Sequence, residues 1–214
     1  MVIFGEKIIE ILKKRRSVRF FDSSFKVSDK QIKLILESAR WVPSARNLQP
    51  LEFIQVTDPN IKSKLNKICR QNAPELASVL IALVGNISIV NKIGKISTHD
   101  VTTESKGRCM FLYLDAGAAI QNMLLTATSL DLDSLWISSF DEKGFYKVFN
   151  LPENYVPLAI VCIGKQKMSP FSPSKRSIKE RLHMNIFEEK DADLSYLEEC
   201  KIINEEFGEL KRYK

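Results

Sequence analysis

Three arginines and a serine crowd into Arg15-Arg16-Ser17-Val18-Arg19. A guanidinium is a planar fork of donors that matches phosphate oxygens and carbonyl edges. A second polar cluster, Pro43-Ser44-Ala45-Arg46-Asn47-Leu48-Gln49-Pro50, follows an apparent helix. Together the two suit a phosphorylated planar molecule with hydrogen-bonding edges. Each also has a plainer explanation. Cations in the last turn of a helix complement its dipole, and paired prolines restrict the backbone where a helix turns into a strand. Two details favour the ligand. Ser17 adds a hydroxyl and Arg19 falls beyond the helix, whereas a bare turn has no use for both the Asn47 and Gln49 amides.

Two further stretches carry polar groups. Trp136-Ile137-Ser138-Ser139-Phe140-Asp141 lies at the end of an expected strand. Asp141 reads as the N-cap of the next helix, and the backbone N–H groups around Ser138 and Ser139 could instead face a ligand. Lys175-Arg176 follows a Pro- and Ser-containing linker, and taken alone it reads as a solvated surface pair.

The sequence lacks an obvious acid, base or nucleophile. It has neither a Gly-rich dinucleotide fingerprint nor a Walker A loop, and no serine-hydrolase elbow. The cysteines Cys69, Cys109, Cys162 and Cys200 are far apart in sequence and form no Cys-x-x-Cys pair. They read as reduced, mostly buried thiols. His99 and His183 have no metal-ligand spacing, so no metal site is expected. Binding groups without reactive side chains suit an enzyme whose chemistry resides in a cofactor. The formal net charge of +6 permits attraction to anions in general. Most lysines fall on amphipathic helices, and no helix-turn-helix, RNP or zinc-finger signature supports nucleic acid binding.

The elements that must position these groups follow from periodicity. Helices are expected from about Ile3 to Lys14, from Ser28 (with Gln31 as a capping box) to about Arg40, and from Asn60 to Cys69. Another runs from about Arg108 to Ser129, and one more covers Glu142 to Phe149. Strands are expected at Leu51 to Thr57, Ser78 to Val84, Leu135 to Ser138 and Val156 to Gly164. Residues 86–106 read as a loop or lid. Leu194 to Leu210 reads as an amphipathic helix. The 214 residues suffice for one sizeable core. Interleaved helices and strands indicate an α/β or α+β sandwich. The run from Cys109 to Leu130 is nearly apolar but contains Asp115, Gln121 and Asn122, which argues for a buried helix rather than a membrane span. Small residues Ala116 to Ala119 would let another helix approach, which suggests a homodimer packed partly through this helix. The N-terminus shows no basic region followed by a long apolar stretch, so a cytoplasmic protein without a leader is expected.

Several segments, in order, resemble the nitroreductase family of flavin enzymes. They are R-R-S-V-R, A-R-W-V-P-S-A-R-N-L-Q-P, L-E-F-I-Q-V, D-A-G-A-A-I-Q-N-M-L-L, L-W-I-S-S-F-D and L-P-E-N-Y-V-P-L-A-I-V-C-I-G. The resemblance spans about residues 8–187. It implies an α+β fold: a nitroreductase-like sandwich with a central, mixed but mostly antiparallel sheet flanked by helices, in a dimer. One domain would cover residues 1–190, and residues 191–214 would be a helical extension clasping the partner. Two FMN sites would be shared between the subunits. Carried over by motif, Arg15, Arg16 and Ser17 would hold the phosphate and ribityl chain, and Arg19 would lie near the N1/O2 edge. Pro43, Ser44, Ala45 and Asn47 would come from the other subunit, with Gln49 supporting their loop. Backbone groups at Ser138 and Ser139 would face N5 and O4, and Lys175 and Arg176 would reach the phosphate. Arg70, Gln71 and Asn72 are all candidates for the pyrimidine edge.

The implied activity is reduction of a nitroaromatic, a quinone or a similar small acceptor by NAD(P)H. Hydride would pass in ping-pong fashion through flavin N5, without a catalytic side chain. Other reactions of the same fold (dehalogenation, dehydrogenation, flavin fragmentation) and a non-enzymatic flavin or nucleic acid binder are the alternatives. The sequence departs from the family pattern at Ser138-Ser139, where many members have Gly or Glu-Gly. The 86–106 segment and the tail beyond Asp191 also align with nothing in the pattern.

Overall fold

Several helices begin where the sequence supplies a side-chain acceptor for their unpaired N–H groups, at Ser28, Asp58, Asp141 and Ser177. The computed structural model describes residues 4–91, 106–170, 172 and 174–189. Helix α1 spans Phe4–Lys14 and α2 spans Asp29–Arg40. The Ser28 capping box is formed in both directions: Gln31 N donates to Ser28 Oγ (3.3 Å) and Ser28 N to Gln31 Oε1 (3.0 Å). A 3-10 turn, Ala45–Asn47, leads into strand β1, Leu51–Val56. Helix α3, Pro59–Cys69, starts with Asp58 as N-cap and Pro59 in its first turn, and short α4 follows at Ala73–Leu76. Then come β2 (Val79–Asn86), α5 (Ile87–Asn91), α6 (Lys106–Ser129), β3 (Asp133–Ile137), α7 (Glu142–Phe149), β4 (Tyr155–Gly164) and α8 (Ile178–Arg181).

The chain divides into two compact units, residues 1–169 and 170–214. The first contains a four-stranded sheet of order β1-β2-β4-β3, with every neighbouring pair antiparallel. Its parallel component is an isolated bridge from Ser17 to Ser134 at the β3 edge. The fold is thus the expected α+β arrangement. In the second unit, Ser177 Oγ caps α8 by accepting from Lys179 N (3.2 Å), and the His183 and Phe187 rings stack at 4.5 Å.

Side-chain alternation along β2 and β4 divides the core into two layers. Val79, Ile81, Leu83, Ala159, Val161 and Ile163 face α2 and α6. Leu80, Ala82, Val84, Ile160 and Cys162 face α3 and α7, where Leu65 and Phe145 are fully buried. Both central strands are therefore covered on both faces, which is why they read as continuous apolar runs. A bulge between Leu83 and Val84 places Pro157 in β4, where an irregular ladder tolerates its missing N–H. At Gly85 a Cβ would run into the Leu112 side chain, so α6 crosses the sheet closely there.

Two buried polar features tie the α3 side together. Lys62 is 8% exposed, and its Nζ donates to Ala77 O (2.5 Å) and Ser78 O (2.8 Å). Burial lowers its pKa, with the Lys26 charge acting in the same direction. Burial raises the Cys69 thiol to about 12 and also pushes Cys162 up.

The structure revises some boundaries. The expected 86–106 loop begins instead with the end of β2 and with α5, because Ile87 and Val90 form an apolar pair that one helical turn can bury. The rest of that segment lies outside the described residues, as do the expected Leu194–Leu210 helix and the proposed 191–214 extension. Helices α4 and α8, four residues each, are too short to leave a periodic signal. Among the described residues no helix is long and apolar enough to cross a membrane.

Candidate functional site

The arginine-rich segment extends the free edge of the sheet. Val18 N donates to Ser134 O (3.0 Å), and Ser17 bridges Ser134 in parallel orientation. Val18 is fully buried and anchors the segment, while Arg15, Arg16 and Ser17, just before that anchor, are half-buried. Beyond Val18 the chain leaves β3: Phe21 bridges Gln166 in antiparallel orientation and Asp22 N donates to Lys165 O (2.8 Å), past the N-terminal end of β3. Exposed Ser138 and Ser139 follow Ile137 at the C-terminal end of the same edge strand, whereas Ser17 bridges near its start.

The arginines are not equivalent. Arg16 Nη1 donates to the Lys13 carbonyl and to Arg15 O (2.8 Å), so this side chain caps the end of α1. Arg15 Nη1 approaches Ser17 Oγ at 3.5 Å, and Arg19 Nη1 donates to Ser17 O at 3.4 Å. Partial burial lowers the pKa of Arg15, with the Arg16 charge adding to the effect. Desolvation also lowers that of Arg19, although the residue as a whole is exposed. Among the described residues no carboxylate forms an ion pair with Arg15. A guanidinium that loses hydration without gaining an anion is poised to accept one.

The Pro43–Pro50 loop enters β1, at the opposite edge of the sheet. Across three inter-strand spacings the two edges lie roughly 14 Å apart. The loop closes on itself. Asn47 N donates to Ser44 O (2.9 Å), Gln49 N to Ser44 Oγ (3.0 Å) and Gln49 Nε2 to Asn47 O (3.3 Å). Ser44 and Gln49 thus shape the loop, and exposed Pro43 and Asn47 are presented by it. Arg46, Asn47 and Gln49 all have left-handed backbones, with φ of 52°, 57° and 51°.

Two polar side chains of α6 lie toward α2 and the turn that follows it, and sequence reasoning assigned neither a role. Asp115 is 8% exposed. Asn122 Nδ2 donates to Ser38 O at 3.0 Å. Burial raises the Asp115 pKa, and the Ala45 hydrogen bond opposes that shift. The signal was in the sequence, as an isolated acid within an otherwise apolar helix.

Arg70, Gln71 and Asn72 follow α3, with Arg70 in a left-handed C-terminal cap (φ 53°). Asp141 N donates to Ile68 O (3.0 Å), which ties this junction to the turn after Ser139. Asp141 itself is the N-cap of α7, as the sequence indicated. Lys175 and Arg176 belong to the second unit, where Arg176 Nε lies 3.6 Å from Glu180 Oε2.

The covered antiparallel sheet and the long central helix make an α+β fold with a basic segment beside β3. A model of the Nitroreductase family matches residues 12–88 and 89–165. The chain therefore belongs to the nitroreductase family. It is 26% identical over 182 residues to YdgI of Bacillus subtilis, which carries an NAD(P)H nitroreductase name; the match covers 73% of this chain and 87% of YdgI. The NADPH:FMN oxidoreductase of Vibrio harveyi, solved in complex with NAD+, has the same fold. Its TM-score is 0.78 at 23% identity, over 95% of this chain and 91% of that one. A nitroreductase family protein of Clostridium difficile aligns at 25% identity with a TM-score of 0.69, covering 84% of this chain and 98% of that one.

Proposed function

We propose that this enzyme binds FMN and uses NAD(P)H to reduce a small electron acceptor such as a nitroaromatic or a quinone. The observation that carries this reading is Arg15: half-buried, depressed in pKa and without a carboxylate partner, beside the Ser17 hydroxyl. A phosphomonoester brings about two negative charges at neutral pH, so the donor set fits the phosphate end of FMN. Arg15, Arg16 and Ser17 would hold the phosphate and ribityl chain. Arg19 would supply positive charge near the pyrimidine end, where it favours the reduced, negatively charged ring. Backbone N–H groups at Ser138 and Ser139 would orient the ring from the neighbouring strand end. When bound, FMN would supply the hydride chemistry itself. The relatives support these ligands, since one is named an NADPH:FMN oxidoreductase and another an NAD(P)H nitroreductase.

The site is completed in a homodimer. The Arg15–Arg19 segment and the Pro43–Pro50 loop occupy opposite edges of one sheet, so a partner subunit brings its own loop to the first subunit's arginines. Helix α1 buries none of its residues and leaves Phe4, Ile8, Ile9 and Leu12 exposed. Met110, Tyr113 and Leu114 of α6, against which α1 packs, are exposed as well. Contiguous apolar surface of this kind marks an association face.

The visible absorption spectrum of the purified protein tests the reading. Flavin bands that NAD(P)H bleaches under nitrogen are expected. A colourless protein that takes up no FMN on reconstitution overturns it.

A further inference from the structure

Helix α3 buries Lys62, Leu65 and Cys69. Their spacing puts all three on one stripe, so an ammonium group occupies a position suited to an apolar side chain. Lys62 is 8% exposed, and among the described residues it forms no ion pair. Burying a cation without an acid beside it is costly. The Ala77 and Ser78 carbonyls offset part of that cost by accepting from Nζ at 2.5 and 2.8 Å. An ammonium has a third N–H to give. A lysine kept only to hold two carbonyls also needs no open space next to it.

Such space is present. Lys62, Ala77 and Ser78 line a cavity of about 320 Å³, a size that suits a small molecule. It lies between the first turns of α2 and α3 and the start of β2, on the β1 side of the sheet. The Arg15–Arg19 segment lies beyond β3 on the other side and contributes nothing to its wall. Val27 N donates to Ser78 Oγ (2.8 Å), which fastens the chain before α2 to this wall. The preceding residue, Lys26, is a second cation lining the cavity, and like Lys62 it forms no ion pair among the described residues. Its charge adds to burial in lowering the Lys62 pKa. Asp29 and Glu75 line the cavity too, but both are exposed, where water screens them, and Asn66 Nδ2 already donates to Glu75 (3.1 Å). Val27, Ile32 and Leu76 give the cavity an apolar wall.

We propose that this cavity binds a small organic anion: its carboxylate or phosphate group meets the buried Lys62 ammonium and the exposed Lys26, and its body packs on the apolar wall. The site shares no residue with the flavin reading and does not rest on it.

Residue-resolved amide NMR of the full chain tests the proposal, with succinate and inorganic phosphate as the probes at constant ionic strength. Saturable shifts at the Val27, Ala77 and Ser78 amides are expected with one probe or both, and the probe that saturates at lower concentration gives the preferred group. Lys26→Ala should raise the Kd about three- to fivefold, the worth of one exposed charge pair. Lys26→Glu, which sets a repelling charge there, should raise it about tenfold. Lys62→Met should abolish saturation; if that variant does not fold, Lys26→Glu carries the test. Shifts that grow linearly with both salts, saturable shifts confined to residues 15–19, or an unchanged Kd in Lys26→Glu overturn the proposal.

Discussion

At the residue scale, burial and the partners on offer decide what each polar group can do. Arg15 has lost water without gaining an acid, whereas Arg16 spends donors on the end of α1. Arg15→Ala should therefore weaken FMN binding more than Arg16→Ala does, by about 10- to 100-fold, the worth of a charge-assisted hydrogen bond. Fluorescence titration of the two variants checks the order. The thiols follow the same logic in reverse. With Cys69 pushed up to about 12 and Cys162 raised as well, both stay protonated at pH 8. Peptide mapping after brief alkylation of the native protein should find both unmodified, and both should react after unfolding. Glu37 shows the opposite shift. Hydrogen bonds from Arg40 and Trp41 hold its carboxyl down at about 2. Its contribution to stability is present above the ordinary carboxylate range and fades as pH falls toward 2. An NMR titration of the Glu37 side-chain carboxyl carbon should show that low midpoint.

At the element scale, the helix–sheet contacts rest on a few tight points. Gly85→Val would force Leu112 and α6 away from β2. The expected result is a loss of about 1–3 kcal/mol, as overpacking usually costs, measured by urea unfolding. Lys62→Met would leave the Ala77 and Ser78 carbonyls without their buried donor and should cost a similar amount. Elements with many repeats of one period were legible beforehand. Ser28 with Gln31 announced α2, and the apolar runs of β2 and β4 announced strands. What escaped was set by tertiary neighbours: the four-residue helices, the start of α5 and the left-handed loop without glycine. The arginine cluster stood out by composition alone. Asp115 was visible as a lone acid in an apolar run, but nothing local in the sequence places it near Ala45.

At the scale of the whole molecule, the placement of Arg15 and Asn47 on opposite sheet edges makes shared sites testable. In heterodimers of Arg15→Ala with Asn47→Ala, one site would carry both defects and the other neither. About half of the wild-type bound FMN should return, and mixed dimers that bind no better than either parent would argue for sites within single chains. Light scattering should likewise find two chains per particle, because α1 leaves its apolar stripe uncovered. The bond from Val18 N to Ser134 O has another consequence. It occupies backbone groups on the outer side of β3, the last strand of the sheet. Trimming the chain to begin after Arg19 would strip that side bare, and an unprotected strand edge recruits strands from other molecules. Such a truncation should precipitate or form fibrils instead of yielding a soluble protein that merely lacks its cofactor.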